Sequence, residues 1–198
     1  DKLGAPQQPA PRQPEARAAR TPAAQTTPMP STDIALALAE TLPDEATLLI
    51  GNSLPVRHLE QAWPEVLARR GGHCRWRIVH RRALAGIDGL IATALGLALS
   101  GRNPQVVCWL GDLSALHDLG SLVEAQAKGA PLHIIVEDNG GGRIFDRLPA
   151  ASHFAAARHD DALRTPRSDA LKAIFDSWGA RVSSRDALTD RLSESEGP

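Results

Sequence analysis

QVVCWLGDLS (105–114) and LHIIVEDNGGG (132–142) are the two stretches that decide how this chain folds. Each opens with a short apolar run lacking polar alternation, the pattern of a strand covered on both faces of a parallel sheet. The first run ends in Gly111-Asp112-Leu113-Ser114. The second ends in Glu137-Asp138-Asn139 and the triple glycine 140–142. Asp112 and Asn139 are 27 residues apart, the length of one helix and one adjacent strand. Neighbouring parallel strands would bring both side chains to one edge of the sheet, where such sheets bind ligands.

The pattern continues outward in both directions. Ser31 or Thr32 can cap a helix through Leu42, TLLIG (47–51) reads as a short strand, and 56–70 is helical in pattern. RWRIV (75–79) reads as another strand. IDGLIATALGLALSG (87–101) is a nearly all-apolar helix, expected to pack deep between layers. A helix is expected over about 115–128, then, beyond the glycine loop, a helix over 168–178, a strand at 180–183 and a helix at 186–195. Strands alternating with helices predict an α/β fold, a parallel sheet with helices on both faces.

Residues 1–30 differ from the rest, with seven of the fifteen prolines and only Leu3 and Met29 as large apolar residues. Such a stretch buries too little apolar surface to offset its ordering entropy and reads as a linker or disordered tail before a domain over 31–198. Net charge is −1, with 22 basic against 23 acidic residues interspersed, which argues against a nucleic-acid surface. No apolar run approaches the roughly 18 residues that span a membrane, and no signal core opens the chain, so a cytoplasmic location is expected. Cys74 and Cys108 lie far apart and form neither a disulfide framework nor a zinc motif.

A carboxylate, an amide oxygen and a glycine-loop carbonyl are hard oxygen donors suited to Mg²⁺, which completes its octahedron with water and phosphate oxygens. Glycines let backbone N–H groups approach a phosphate closely. Taken singly, Asp112 also reads as a helix cap and the triple glycine as a plain loop. The spaced pair on two buried strands is the more specific signal.

Gly111-Asp112 and Asp138-Asn139 resemble the GDG…NN signature of thiamine-diphosphate enzymes, with Leu113 and Asp138 as departures. GDLSALHDL (111–119) followed by NGGGRIF (139–145) is similar to one branch, the 2-succinyl-5-enolpyruvyl-6-hydroxy-3-cyclohexene-1-carboxylate synthases. GNSLPVR (51–57) resembles that family's GNS…R loop, and RALAGIDG (82–89) its R-x-x-x-GIDG segment. The four segments are collinear over about residues 32 to 193.

The resemblance implies the fold of a diphosphate-binding (PP-type) domain. It would make Asp112, Asn139 and the Gly141 carbonyl ligands of Mg²⁺ or Mn²⁺. Ser53, Gly111, Leu113, Ser114 and Ile144 would contact thiamine diphosphate, and Ile87 would be the apolar prop that bends it. Arg57 and Arg82 would hold substrate carboxylates, which a guanidinium fork matches bidentately. Ile144 and Phe145 would wall the reacting carbon. From the residues alone, Ile87 and Phe145 also read as core, and Arg57 and Arg82 as solvated arginines.

Enzymes of this family decarboxylate 2-oxoglutarate and add the resulting unit to isochorismate in menaquinone biosynthesis. The resemblance also implies a homo-oligomer and a pyrimidine-binding domain, from the same or another subunit, whose glutamate activates the cofactor. No second α/β domain is legible here, so the chain is expected to be a piece of a longer protein, inactive by itself. Two other readings remain. An acetolactate-synthase-like enzyme is disfavoured by GDLS without a third motif glycine. A non-catalytic module of the same fold is disfavoured by the joint presence of Asp112, Asn139 and Gly141.

Overall fold

A computed structural model of the chain describes residues 31–81, 86–149, 163–177 and 185–193. The proline-rich segment 1–30, Arg82 and the strand expected at 180–183 lie outside them. The elements are α1 (Ser31–Thr41), β1 (Thr47–Ile50), α2 (Leu54–Arg69), β2 (Arg77–Val79), α3 (Leu90–Leu99) and β3 (Val106–Gly111). They continue with α4 (Asp112–His117), α5 (Leu119–Ala127), β4 (Leu132–Glu137), a 3₁₀ turn (Arg143–Arg147), α6 (Ser168–Ser177) and α7 (Arg185–Ser193).

The four strands form one parallel sheet in the order β2-β1-β3-β4, the sheet type that the alternating pattern predicts. Strand alternation sorts the apolar side chains between two layers. Leu48, Ile50, Val107 and Trp109 pack with α1, α2 and α7 through residues such as Leu38, Leu59, Val66 and Leu192. Leu49, Val106, Cys108 and Leu110 face the other way, onto Leu90, Ile91, Ala94, Ala115 and Leu171 of α3, α4 and α6. β3 is buried from Val106 to Leu110 because it has a strand on each side and helices above and below. Gly51 lets β1 and β3 close up at their ends, since a Cβ there would stand 3.1 Å from Leu110 Cα.

Four expectations need correction. β4 is half-buried over 132–136 rather than buried on both faces, because it is the last strand of the described sheet. The helix expected over 115–128 begins at Asp112 and breaks at Asp118, whose φ of −126° leaves the helical region. The apolar helix expected over 87–101 starts only after Gly89, which sits at φ +69°. That helix is also not enclosed within this chain: Leu90, Ile91, Ala94, Leu95 and Ala98 are buried, but Ala92, Gly96 and Leu99 are exposed. Only one of its sides meets the sheet. Among the described residues, no helix is long and apolar enough to cross a membrane.

Candidate functional site

A parallel sheet puts every strand's carboxyl end on one edge. Here that edge gathers Asn52 and Ser53 after β1, Arg81 after β2, Asp112 after β3, and Asp138 and Asn139 after β4. The register pairs Gly111 with Glu137, so Asp112 and Asp138 leave their strands at the same level.

Asp112 is 4% exposed. Its Oδ1 accepts from the Leu113 N–H at 2.8 Å and its Oδ2 from the Gly141 N–H at 2.6 Å. Burial holds its pKa above the ordinary carboxylate value, and the neighbouring Asp138 carboxyl adds to that rise. The two N–H donors pull the other way but do not offset it. Asn139 is the complementary piece: its Oδ1 is buried and has no hydrogen-bond partner. A buried amide oxygen left without a donor is costly, and a bound cation is one of the few groups that relieves it.

The triple glycine behaves differently from a phosphate cradle. Gly140 donates its N–H to Asp138 Oδ1 at 3.1 Å, Gly141 to Asp112, and Gly142 to the Arg164 carbonyl at 2.7 Å. All three N–H groups are therefore taken by protein acceptors. Gly141 and Gly142 are required instead by close packing. Gly141 has φ +106°, and a Cβ on it would overlap the Arg164 carbonyl oxygen; one on Gly142 would overlap that of Leu163. Arg164 is itself fixed by a fork onto Asp146, with Nε to Oδ1 at 2.8 Å and Nη2 to Oδ2 at 3.0 Å. The Gly141 carbonyl accepts the Arg143 N–H at 2.7 Å and retains a lone pair for a cation.

The other expected residues are placed as follows. Ser53 is half-buried with φ +73°, a strained conformation for a non-glycine residue, at the start of α2. Arg57 is exposed and its Nη1 donates to the Ser53 carbonyl, so its guanidinium folds back on its own turn. Gly111 and Leu113 are half-buried and Ser114 is buried in α4. Ile87 lies in the loop before α3 and is 37% exposed, so within this chain it is not core. Ile144 and Phe145 ride on the 3₁₀ turn, the first half-buried and the second 37% exposed. The structure brings Asp112 and Gly141 into contact. It does not bring Arg57 onto that pair.

Two arrangements escaped sequence reasoning. Asp118 caps a helix far upstream in the chain: its Oδ2 accepts the Ile91 and Ala92 N–H groups at 2.6 and 3.1 Å, and its Oδ1 accepts Ser121 Oγ–H at 2.6 Å. Glu137, His58 and Trp109 form a buried polar cluster under the site. A lone acidic residue in GDLSALHD or IIVE carries no local signal of either role.

Among the described residues, no three His, Cys, Asp or Glu side chains stand together as a metal cluster. The oxygen set of Asp112, Asn139 and the Gly141 carbonyl nevertheless fits Mg²⁺, which takes few protein ligands and keeps water and phosphate for the rest.

Residues 78–196 match the family described as thiamine pyrophosphate enzyme, C-terminal TPP binding domain. The chain is similar to the 2-succinyl-5-enolpyruvyl-6-hydroxy-3-cyclohexene-1-carboxylate synthase of Sorangium cellulosum, 44% identical over 62% of this chain and 20% of the relative. The synthase of the same name from Chlorobium phaeobacteroides is 36% identical over 78% of this chain and 26% of its own length. The chain thus spans about a quarter or less of these curated relatives. A solved structure, the thiamine diphosphate-dependent 4-hydroxybenzoylformate decarboxylase of Rhodococcus jostii RHA1, superposes with a TM-score of 0.63 at 16% identity. That superposition covers 90% of this chain and 32% of the decarboxylase, and it shows the shared fold.

Proposed function

We propose that this chain, which belongs to the family of thiamine pyrophosphate enzyme C-terminal, TPP-binding domains, is the cofactor-binding part of a 2-succinyl-5-enolpyruvyl-6-hydroxy-3-cyclohexene-1-carboxylate synthase. The observation that carries the cation site is the buried, unpartnered Asn139 Oδ1, two residues from the Gly141 that clasps Asp112. Asp112, Asn139 and the Gly141 carbonyl would hold Mg²⁺ or Mn²⁺, neutralising a diphosphate against an otherwise acidic strand edge. Ser53, Gly111, Leu113 and Ser114 would line the cofactor, with Ile87 as its apolar prop. When bound, thiamine diphosphate supplies the electron sink that lets a 2-oxo acid lose CO₂ and pass on its acyl unit.

The chain's own residues would do the positioning. Ile144 and Phe145 would present apolar surface that excludes water beside the reacting carbon. Arg57 and Arg82 would bind carboxylates of 2-oxoglutarate and isochorismate, and for this Arg57 must release the Ser53 carbonyl. A pyrimidine-binding domain, from the same or another subunit of a homo-oligomer, would supply the glutamate that activates the cofactor. On this reading the chain alone binds but does not turn over, and the whole protein is a cytoplasmic enzyme of menaquinone biosynthesis.

Calorimetric titration of thiamine diphosphate with and without Mg²⁺, beside Asp112→Ala, tests the reading. Cation-dependent binding that vanishes in the variant is the expected result. Binding indifferent to both the cation and the variant would sink it.

A further inference from the structure

Glu137 ends β4 with its side chain turned into the protein, 6% exposed. Alternation explains the direction: Ile135 packs on the α1, α2 and α7 side, and Glu137, two residues on, faces the same way. A carboxyl group in such a place needs donors. Trp109 Nε1 donates to Oε2 at 3.2 Å, and His58 Nδ1 lies 3.0 Å from Oε1. The imidazole nitrogen and the carboxyl oxygen are within hydrogen-bond distance, and which of them donates depends on the His58 tautomer. His58 is itself 8% exposed.

The cluster ties three elements together at the strand-end edge. His58 follows Arg57 directly and lies five residues after Ser53 in the first turns of α2. Trp109 lies three residues before Asp112 on β3. Glu137 lies two residues before Asn139. Its members therefore stand close in sequence to three of the segments that carry proposed contacts, those of Ser53 and Arg57, of Asp112, and of Asn139.

We infer that His58 and Glu137 are positioning residues for the cation site, holding the end of β4 so that Asn139 presents its Oδ1 beside Asp112. Trp109 anchors the carboxyl group, and His58 links it to the helix start that bears Ser53 and Arg57. The inference rests on the cofactor reading above. Groups that orient ligands without touching the metal change its affinity by roughly 10–100-fold when removed. A pair serving the fold alone would lower thermal stability and leave cation affinity as it was.

The test uses the full chain and Mn²⁺ as probe, with free Mn²⁺ read by its paramagnetic resonance signal in the presence of thiamine diphosphate, and Tm read in parallel. Below their own Tm, His58→Leu and Glu137→Leu should bind Mn²⁺ about 10-fold or more weakly. Glu137→Gln keeps an acceptor for Trp109 and can donate to the His58 tautomer whose Nδ1 accepts, so it should restore affinity to within about 3-fold of the parent. Should the leucine variants not fold, His58→Gln, which keeps a donor but displaces the carboxyl, replaces them and should weaken Mn²⁺ binding without a matching fall in Tm. Folded variants with a lowered Tm and the parent's Mn²⁺ affinity would overturn the inference alone. A parent chain that binds no Mn²⁺ with the cofactor would remove both the cofactor reading and this inference.

Discussion

The Gly141 N–H donates to Asp112 Oδ2 at 2.6 Å across 29 residues of chain, closing the glycine loop onto the end of β3. The loop can make that turn only because Gly141 has φ +106° and no side chain to strike the Arg164 carbonyl. Gly141→Ala should therefore cost more than about 2 kcal/mol, combining left-handed strain with a backbone overlap. Gly129→Ala is the control: φ is +56° with open space around the position, so it should cost about 1 kcal/mol. Urea unfolding of both variants checks the difference, and equal costs would refute the packing account.

Asp118→Ala removes the acceptor for the Ile91 and Ala92 N–H groups at the start of α3. Helix-cap deletions cost about 1–2 kcal/mol, and here one of the N–H groups is buried. The loss should appear in chemical denaturation and as faster amide exchange at Ile91 and Ala92, with little change in β1. A neutral result would mean that water takes over the cap.

The two thiols should react very differently. Cys108 is fully buried in β3, and burial, with Asp118's charge as a second cause, pushes its pKa up to about 12. Cys74 is half-buried. Thiolate is the reactive form, so a disulfide reagent at pH 8 should titrate one thiol in the native chain and both after denaturation. Two fast thiols without denaturant would show that β3 opens readily.

His133 gives a pH dependence of known sign. Burial holds its pKa below the ordinary 6.5. Between the folded and unfolded values the unfolded chain binds the extra proton, so the stabilisation is present above about pH 6.5 and is lost as pH falls through the folded value. His133→Gln should flatten that part of the curve of Tm against pH between 7 and 5. An unchanged slope would assign the dependence to other groups.

Much of this protein is legible in its sequence because local rules reach that far. The unbroken apolar run of QVVCWL marked β3 as a strand buried on both faces, and the 27-residue spacing placed Asp112 and Asn139 after neighbouring strands. Parallel pairing then follows from the intervening helices, whose apolar faces need a sheet to cover. What the sequence could not supply is the destination of each polar group. Asp118 caps a helix 27 residues upstream, Glu137 meets a histidine 79 residues away, and Gly142 closes onto Arg164. Those partners come together only once the layers are packed, and packing distance is not written in any period or spacing. The same holds for what remains open: Asn139 Oδ1 lacks a partner only because the tertiary fold buried it. Composition and spacing thus determined the sheet and the edge where a site could form, while the packed structure decided which donors were spent within the protein and left the buried Asn139 Oδ1 without one.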